Sequence, residues 1–267
     1  MLQMLAPLRL TLLGLATLPL FACWLLALPL MLLVPAAESV LQPMIVGTWA
    51  RATLWIMGVR VRVEGPRPAG GFFLVANHLS YIDIPVLLSQ LNGRFLAKSE
   101  IASWPVLGLL ARATGTLFID RSRKRDLTRA IEEVTALIQR GPGVIVFPEA
   151  TSTDGAEVHP FKPSMFEVPS QLGLEVSCAA LHYANPPGVR PAWENVCWWG
   201  DADFAPHFWE FLKLPRTIAT VTFAPDPVRP QAGAESPDRK ALAEGSRRVI
   251  EHLFTPSRPA SSIPPVR

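Results

Sequence analysis

The sequence predicts an α/β domain with a mostly parallel central sheet flanked by helices, preceded by an N-terminal hydrophobic membrane-anchoring helix or helical hairpin. Two observations carry the α/β domain. After residue 62, short runs rich in β-branched and aromatic residues alternate with helical patterns, the order that builds parallel sheets. Several of those runs end directly in polar or charged residues, as strands do when they feed loops at a sheet edge. The anchor follows from a third: from Leu10 to Ala37 there are 28 residues without a charge, bracketed by Arg9 and Glu38. The chain therefore divides into membrane-associated helices over 1–62, an α/β domain over 63–254 and a Pro/Ser-rich, disordered tail over 255–267.

Taken in order, the uncharged stretch exceeds the roughly 20 residues that cross a bilayer as a helix. Pro19, Pro29 and Pro35 should kink it, which membrane helices tolerate. A second apolar stretch, Val40 to Val59, carries one charge, Arg51, with Trp49 and Trp55 suited to an interface. A charge near mid-span is costly, so this stretch is expected to lie in the interface or to fold back on the first as a shallow hairpin. A hairpin would bring Arg9 to the side of Arg51, Arg60 and Arg62. A cleaved signal peptide is the competing reading, but the apolar run is too long and the segment before it holds a single Arg.

Gly65 to Gly71 is a Pro/Gly-rich turn, and Phe72–Ala76 reads as a buried strand. Ile84–Leu91 follows as a short helix with Pro85 in its first turn. Phe95–Ala97 is a short apolar segment reaching Lys98, and Gly115–Ile119 is a strand ending at Asp120-Arg121. Lys124–Arg140 places Leu127, Ile131, Val134, Leu137 and Ile138 on one helical face, and Gly141-Pro142 stops it. Strands at Gly143–Phe147, Glu175–Tyr183 (with its apolar run Val176–Leu181) and Thr217–Phe223 and a helix over Pro237–Phe254 complete the domain. The Trp- and Pro-rich segment 186–211 is either an interfacial surface or a packed loop region. His182, just past that apolar run, reads as a structural histidine.

Charge and cysteine content exclude several classes. A net charge of +3 without a long basic run interleaved with aromatics argues for anionic lipid rather than nucleic acid. Three cysteines, Cys23, Cys178 and Cys197, are odd in number and lack metal-type spacing. No metal-ligand cluster and no phosphate-binding or dinucleotide loop is evident, so no cofactor and no metal is expected.

Chemistry concentrates in Asn77-His78-Leu79-Ser80-Tyr81-Ile82-Asp83, where a buried strand runs into a polar turn. His78 is the side chain suited to take and return a proton near neutral pH. Asp83, five positions on, would sit about 140° around a helix, but folded round a turn it could reach one ring nitrogen. No Cys lies near and Ser80 is too close to serve easily as a nucleophile. The pair therefore suits a base that activates a hydroxyl of the substrate itself.

Asn77-His78, four residues and Asp83 resemble the NHxxxxD motif of the glycerolipid acyltransferases, the 1-acylglycerol-3-phosphate O-acyltransferase family. Two further blocks strengthen the resemblance. Gly115-Thr116-Leu117-Phe118-Ile119-Asp120-Arg121 is similar to Gly-x-x-Phe-Ile-x-Arg, and Phe147-Pro148-Glu149-Ala150-Thr151-Ser152 to Phe-Pro-Glu-Gly-Thr-Arg. Ala150 stands where Gly is usual and Ser152 where many members have Arg. Phe161-Lys162-Pro163-Ser164 and the Lys98 segment before Trp104-Pro105 also have family counterparts. The resemblance covers roughly residues 70–185.

It implies transfer of a fatty acyl chain from an acyl-CoA or acyl-carrier protein thioester to the free hydroxyl of a lysolipid, foremost 1-acylglycerol-3-phosphate. His78 and Asp83 are then catalytic, while Asn77, Lys98, Arg121, Glu149 and Thr151 are substrate-binding candidates. Arg121 and Lys98 would hold the acceptor head group, Glu149 would bind an acceptor hydroxyl or orient its loop, and donors near the motif would stabilise the oxyanion. Arg123, Lys124 and Arg125 form a basic cluster suited to an anionic surface or simply to solvent. Partners are a membrane lipid and the soluble donor, and the location implied is a bacterial inner membrane with the catalytic domain on its cytoplasmic face. Ser152 motivates a different acceptor, such as a lyso-ornithine lipid. Two other classes stay open: hydrolysis, with water in place of the acceptor, and a non-enzymatic membrane-anchored scaffold.

Overall fold

The computed structural model describes residues 4–120, 124–230 and 238–259. The chain begins with a helical hairpin, α1 (Leu5–Leu33) and α2 (Pro35–Met57), turned at the extended Val34. Pro35 opens α2, where a missing N–H costs nothing. Pro19, Pro29 and Pro43 lie inside helical spans. Gly58 ends α2 with φ +77°, a left-handed cap, and a Cβ there would meet the Arg9 guanidinium at 2.5 Å. Glycine is thus required on both conformational and steric grounds.

Seven strands follow: β1 (Val59–Glu64), β2 (Phe73–Ala76), β3 (Gly93–Lys98), β4 (Leu117–Ile119), β5 (Gly143–Val146), β6 (Val176–Ala184) and β7 (Thr217–Phe223). They form one sheet in the order β1-β7-β6-β2-β5-β3-β4. From β6 to β4 every pairing is parallel, whereas β7 runs antiparallel to β6 and carries β1 parallel to itself. The helices are α3 (Asp83–Gln90), α4 (Leu107–Ala113), α5 (Lys124–Gln139), α6 (Glu167–Leu172), α7 (Ala192–Asn195), α8 (Phe204–Leu212) and α9 (Arg239–Leu253). Central strands are apolar on both faces because both are covered. Leu74, Ile145, Leu181 and Val221 share a core with Ala50 and Leu54 of α2 and Val86 and Leu87 of α3. Phe73, Val75, Val144 and Val146 share the other with Val134 of α5, Val168 of α6 and Ile250 of α9.

Three expectations change. β1 reads Val-Arg-Val-Arg-Val-Glu and was hidden by the apolar stretch before it, so the sheet begins at Val59 and a boundary at residue 62 cuts a strand. Arg9 does not join the exposed Arg51, Arg60 and Arg62. It is buried, donating to the carbonyls of Leu212 (3.1 Å), Leu214 (2.5 Å) and Pro215 (3.3 Å). The guanidinium therefore caps the C-terminal end of α8, whose last carbonyls have no partner within the helix. Finally, the part of the tail that is described, Thr255–Pro259, is packed: Ser257 and Arg258 both donate backbone N–H groups to the carbonyl of Gly155 (2.8 and 3.2 Å).

At the other end of α2, Glu38 pairs with Arg94 of β3 (2.8 Å) and Arg140 beyond α5 (3.3 Å), and Gln42 donates to the carbonyl of Ala113 (3.0 Å). The hairpin is tied to the domain at its base and near its tip, so it lies along the domain. Leu15, Leu18, Leu26 and Leu33 on α1 face outward.

Candidate active site

Register places the site. Val75 of β2 pairs with Val146 of β5, so His78 and Glu149 both lie three residues beyond a matched pair at the same sheet edge. The crossover from β2 goes to β3 on one side and that from β5 to β6 on the other, and such a reversal opens a crevice beyond the strand ends.

His78 Nδ1 lies 2.7 Å from Asp83 Oδ2, with 19% of the imidazole side chain exposed and Asp83 fully buried. Asp83 is the first residue of α3, and the same Oδ2 accepts the backbone N–H groups of Leu79 (2.7 Å) and Ser80 (2.9 Å). Its other oxygen accepts the phenol of Tyr183 at 2.6 Å. This network assigns the proton to Nδ1 and leaves the Nε2 lone pair able to accept one. The Phe147 ring stacks on the imidazole at 4.1 Å and 8°.

The peptide of His78 is gripped from both sides. Its N–H donates to Glu149 Oε1 (2.7 Å), and its carbonyl accepts from the N–H of Thr153 (2.9 Å). Glu149 Oε2 accepts the N–H of His159 (3.0 Å). Burial pushes the Glu149 carboxyl up to about 7, and Asp83 adds to the rise; the two N–H donors and Arg247 pull the other way. Ala150, next in the chain, has φ +63°. The glycine usual in the resembling block therefore reflects a left-handed backbone, which alanine here adopts at a cost.

Several predicted contacts resolve differently. Asn77 is buried, with Oδ1 accepting from the Leu181 N–H (2.7 Å) and Nδ2 donating to the Leu181 carbonyl (3.1 Å). Its amide extends the β2–β6 ladder by one step, so it positions the turn and does not face a ligand. Both oxygens of Glu149 are likewise engaged by backbone, which favours loop orientation over binding an acceptor hydroxyl. The N–H groups of His78, Leu79 and Ser80 are all taken by carboxylates, so an oxyanion must be served from elsewhere. Thr151 is exposed, with its hydroxyl 3.4 Å from the carbonyl of Ser152. Lys98 is exposed at the end of β3, on the same edge as His78. Arg121 and Arg123 lie outside the described residues. Among the described residues, no group of three His, Cys, Asp or Glu side chains could hold a metal ion.

Sequence reasoning missed Tyr183, Phe147, Thr153 and Ser257. Tyr183 had a readable signal: it alternates with Ala179 and Leu181, all inward, at the end of a strand longer than its neighbour. His182, read as structural, lies with Nδ1 2.9 Å from the carbonyl of Thr255. The other three are contacts between segments far apart in sequence, which no local pattern announces.

A family model described as Acyltransferase matches residues 58–181. The 1-acyl-sn-glycerol-3-phosphate acyltransferase of Neisseria gonorrhoeae is 34% identical over 198 residues, 74% of this chain and 74% of its own. The lyso-ornithine lipid O-acyltransferase of Rhodobacter capsulatus is 36% identical over 214 residues, 78% of this chain and 75% of its own. The crystal structure of the 1-acyl-sn-glycerophosphate (LPA) acyltransferase PlsC from Thermotoga maritima superposes with a TM-score of 0.55, covering 90% of this chain and 97% of that one. At 20% identity that likeness speaks for the fold.

Proposed function

This chain belongs to the glycerolipid acyltransferase family, and on that premise we propose that it acylates the free hydroxyl of a lysolipid at a membrane surface. The observation that carries the reading is the buried Asp83 holding Nδ1 of a partly exposed His78 at 2.7 Å. In the proposed step, Nε2 of His78 removes the proton from the acceptor hydroxyl as its oxygen attacks the thioester carbonyl. The imidazolium that forms is stabilised by Asp83. Collapse of the tetrahedral species breaks the carbon–sulfur bond, and the leaving thiolate takes the proton back from His78. No acyl-enzyme is formed, and no cofactor enters. The donor is acyl-CoA or acyl-carrier protein.

The acceptor favoured by the resemblance is 1-acylglycerol-3-phosphate, with Lys98 and Arg121 as candidates for its phosphate. Ser152, where many members carry Arg, supports a second reading in which the acceptor is a lyso-ornithine lipid, the substrate class named for the Rhodobacter relative. For the membrane, α1 is long and apolar enough to cross a bilayer. Its hairpin partner is fastened along the domain from Glu38 to Met57, which supports α1 lying with its outward leucines in one leaflet. The leaflet proposed is the cytoplasmic one of a bacterial inner membrane, with exposed Arg51, Arg60 and Arg62 toward its anionic head groups.

The test is thiol release from acyl-CoA and acyl-carrier protein by membranes holding wild type or His78→Ala, with lysophosphatidic acid and lyso-ornithine lipid supplied in turn. Release that depends on one lysolipid and disappears in the variant supports acyl transfer and names the acceptor. Release without lysolipid means hydrolysis, and no release from wild type would leave a scaffold.

A further inference from the structure

Tyr183 is buried at 1% exposure, inside the core that faces α2 and α3, and the proposed reaction gives it no part. Its position follows from strand length. β6 pairs with β2 from Phe73↔Val176 to Ala76↔Ala179, then continues to Ala184 while β2 has already turned into the His78 loop. Alternation puts Ala179, Leu181 and Tyr183 on one face, so the phenol arrives beneath the loop and donates to Asp83 Oδ1 at 2.6 Å. The backbone there is fixed as well, because the Tyr183 N–H donates to Ser257 Oγ (3.0 Å).

Resting on the acyl-transfer reading above, we infer that Tyr183 is a positioning residue: its hydroxyl fixes the carboxylate plane of Asp83 so that Oδ2 stays on the His78 ring. Oδ2 already takes two backbone N–H groups besides Nδ1. With the phenol gone, Oδ1 is a buried anionic oxygen stripped of this donor. The carboxylate then gains by rotating to share the Leu79 and Ser80 N–H groups between its two oxygens, which draws Oδ2 off Nδ1. The phenol serves as a donor throughout the working range. Burial first, and the neighbouring Asp83 second, hold its proton in place well above the ordinary range of tyrosine. Nothing in this role touches substrate, so binding should be spared.

Tyr183→Phe removes one oxygen and keeps the ring in its packing. We expect kcat for lysolipid-dependent thiol release to fall about tenfold, the scale of a hydrogen bond to a charged group, with the KM of donor and acceptor within about twofold of wild type. Because the effect runs through Asp83, adding Tyr183→Phe to Asp83→Ala should cost nothing further, measured with enough enzyme to follow slow turnover. A purely structural role would lower activity by the same factor in both backgrounds, or raise KM, and either result overturns the inference; so does a Tyr183→Phe enzyme with wild-type kcat. Should Tyr183→Phe fail to fold, 3-fluorotyrosine at 183 keeps a more acidic donor. It must then change kcat at constant KM, and an unchanged kcat overturns the inference. Wild-type membranes that release thiol without lysolipid, or release none, would overturn the acyl-transfer reading itself, which separates the two failures.

Discussion

Replacing Asp83 by Asn isolates the charge from the geometry. In the native site Oδ2 faces three donors, Nδ1 of His78 (2.7 Å), the Leu79 N–H (2.7 Å) and the Ser80 N–H (2.9 Å). Oδ1 faces one, the Tyr183 hydroxyl (2.6 Å). An asparagine amide placed with its NH2 at the Oδ2 position would oppose three donors and is excluded. The reverse orientation keeps the carbonyl on all three and sets the NH2 against the phenol oxygen, which can turn to accept. Asp83→Asn should therefore fold, keep the loop and keep the proton on Nδ1. It loses the negative charge beside the imidazolium that the proposed reaction forms. At an effective dielectric near 20 and a separation of about 4 Å, that interaction is about 4 kcal/mol, or about a thousandfold in kcat. Thiol release at saturating lysolipid, with a thermal melt to verify folding, measures it. A folded Asp83→Asn enzyme within about tenfold of wild type would refute the claim that Asp83 acts by stabilising the imidazolium.

Glu149 supplies a pH test. Its folded-state value near 7 lies above the ordinary carboxylate value of 4.5, so its stability contribution is complete below the unfolded value and is lost as pH rises through 7. Across that window the loss is about 3 kcal/mol, and Glu149→Gln should remove that slope; a wild-type-minus-variant difference that stays constant in urea melts at pH 5 and pH 8 contradicts the assignment. Ala150→Gly relieves a non-glycine residue at φ +63°. It should raise stability by about 0.5–1 kcal/mol after glycine's own entropy cost, and a lower urea midpoint would show that the methyl group contributes packing. Ser257→Ala leaves the buried Tyr183 N–H without its acceptor, a loss of about 1–3 kcal/mol read as a lower melting temperature, and an unchanged melt would mean that the segment after α9 does not brace the site.

What the sequence made legible was local. β2, α3, α5, β5 and β7 follow from periodicity and from Gly, Pro and polar punctuation, and all lie within a few residues of where patterning puts them. The His78–Asp83 pair was readable because both members sit in one seven-residue turn. β1 escaped because Val59 continues the apolar run of α2 and its arginines look like flanking charge. The sense of β7 escaped because strand direction is set by connections, and the Trp-rich segment 186–211 that precedes it has no period. Glu149 was found as a residue, with binding an acceptor hydroxyl and orienting its loop both left open. Its partners, the N–H groups of His78 and His159, are backbone groups that carry no sequence signal.

The mode of bracing makes the hairpin part of the same packed unit as the His78 loop. Ala50 and Leu54 of α2 share a core with Val86 and Leu87 of α3, and α3 begins with Asp83. The hairpin is thus one helix away from Asp83, through tightly packed side chains with little freedom to shift. Arg9 ties α1 to the end of α8, and Glu38 ties α2 to Arg94 of β3. A flexible tether would hold the domain near the bilayer but leave the depth of His78 free to vary. A hairpin packed on α3 would fix that depth, which the proposed reaction between a lipid hydroxyl in a leaflet and a thioester from water would require.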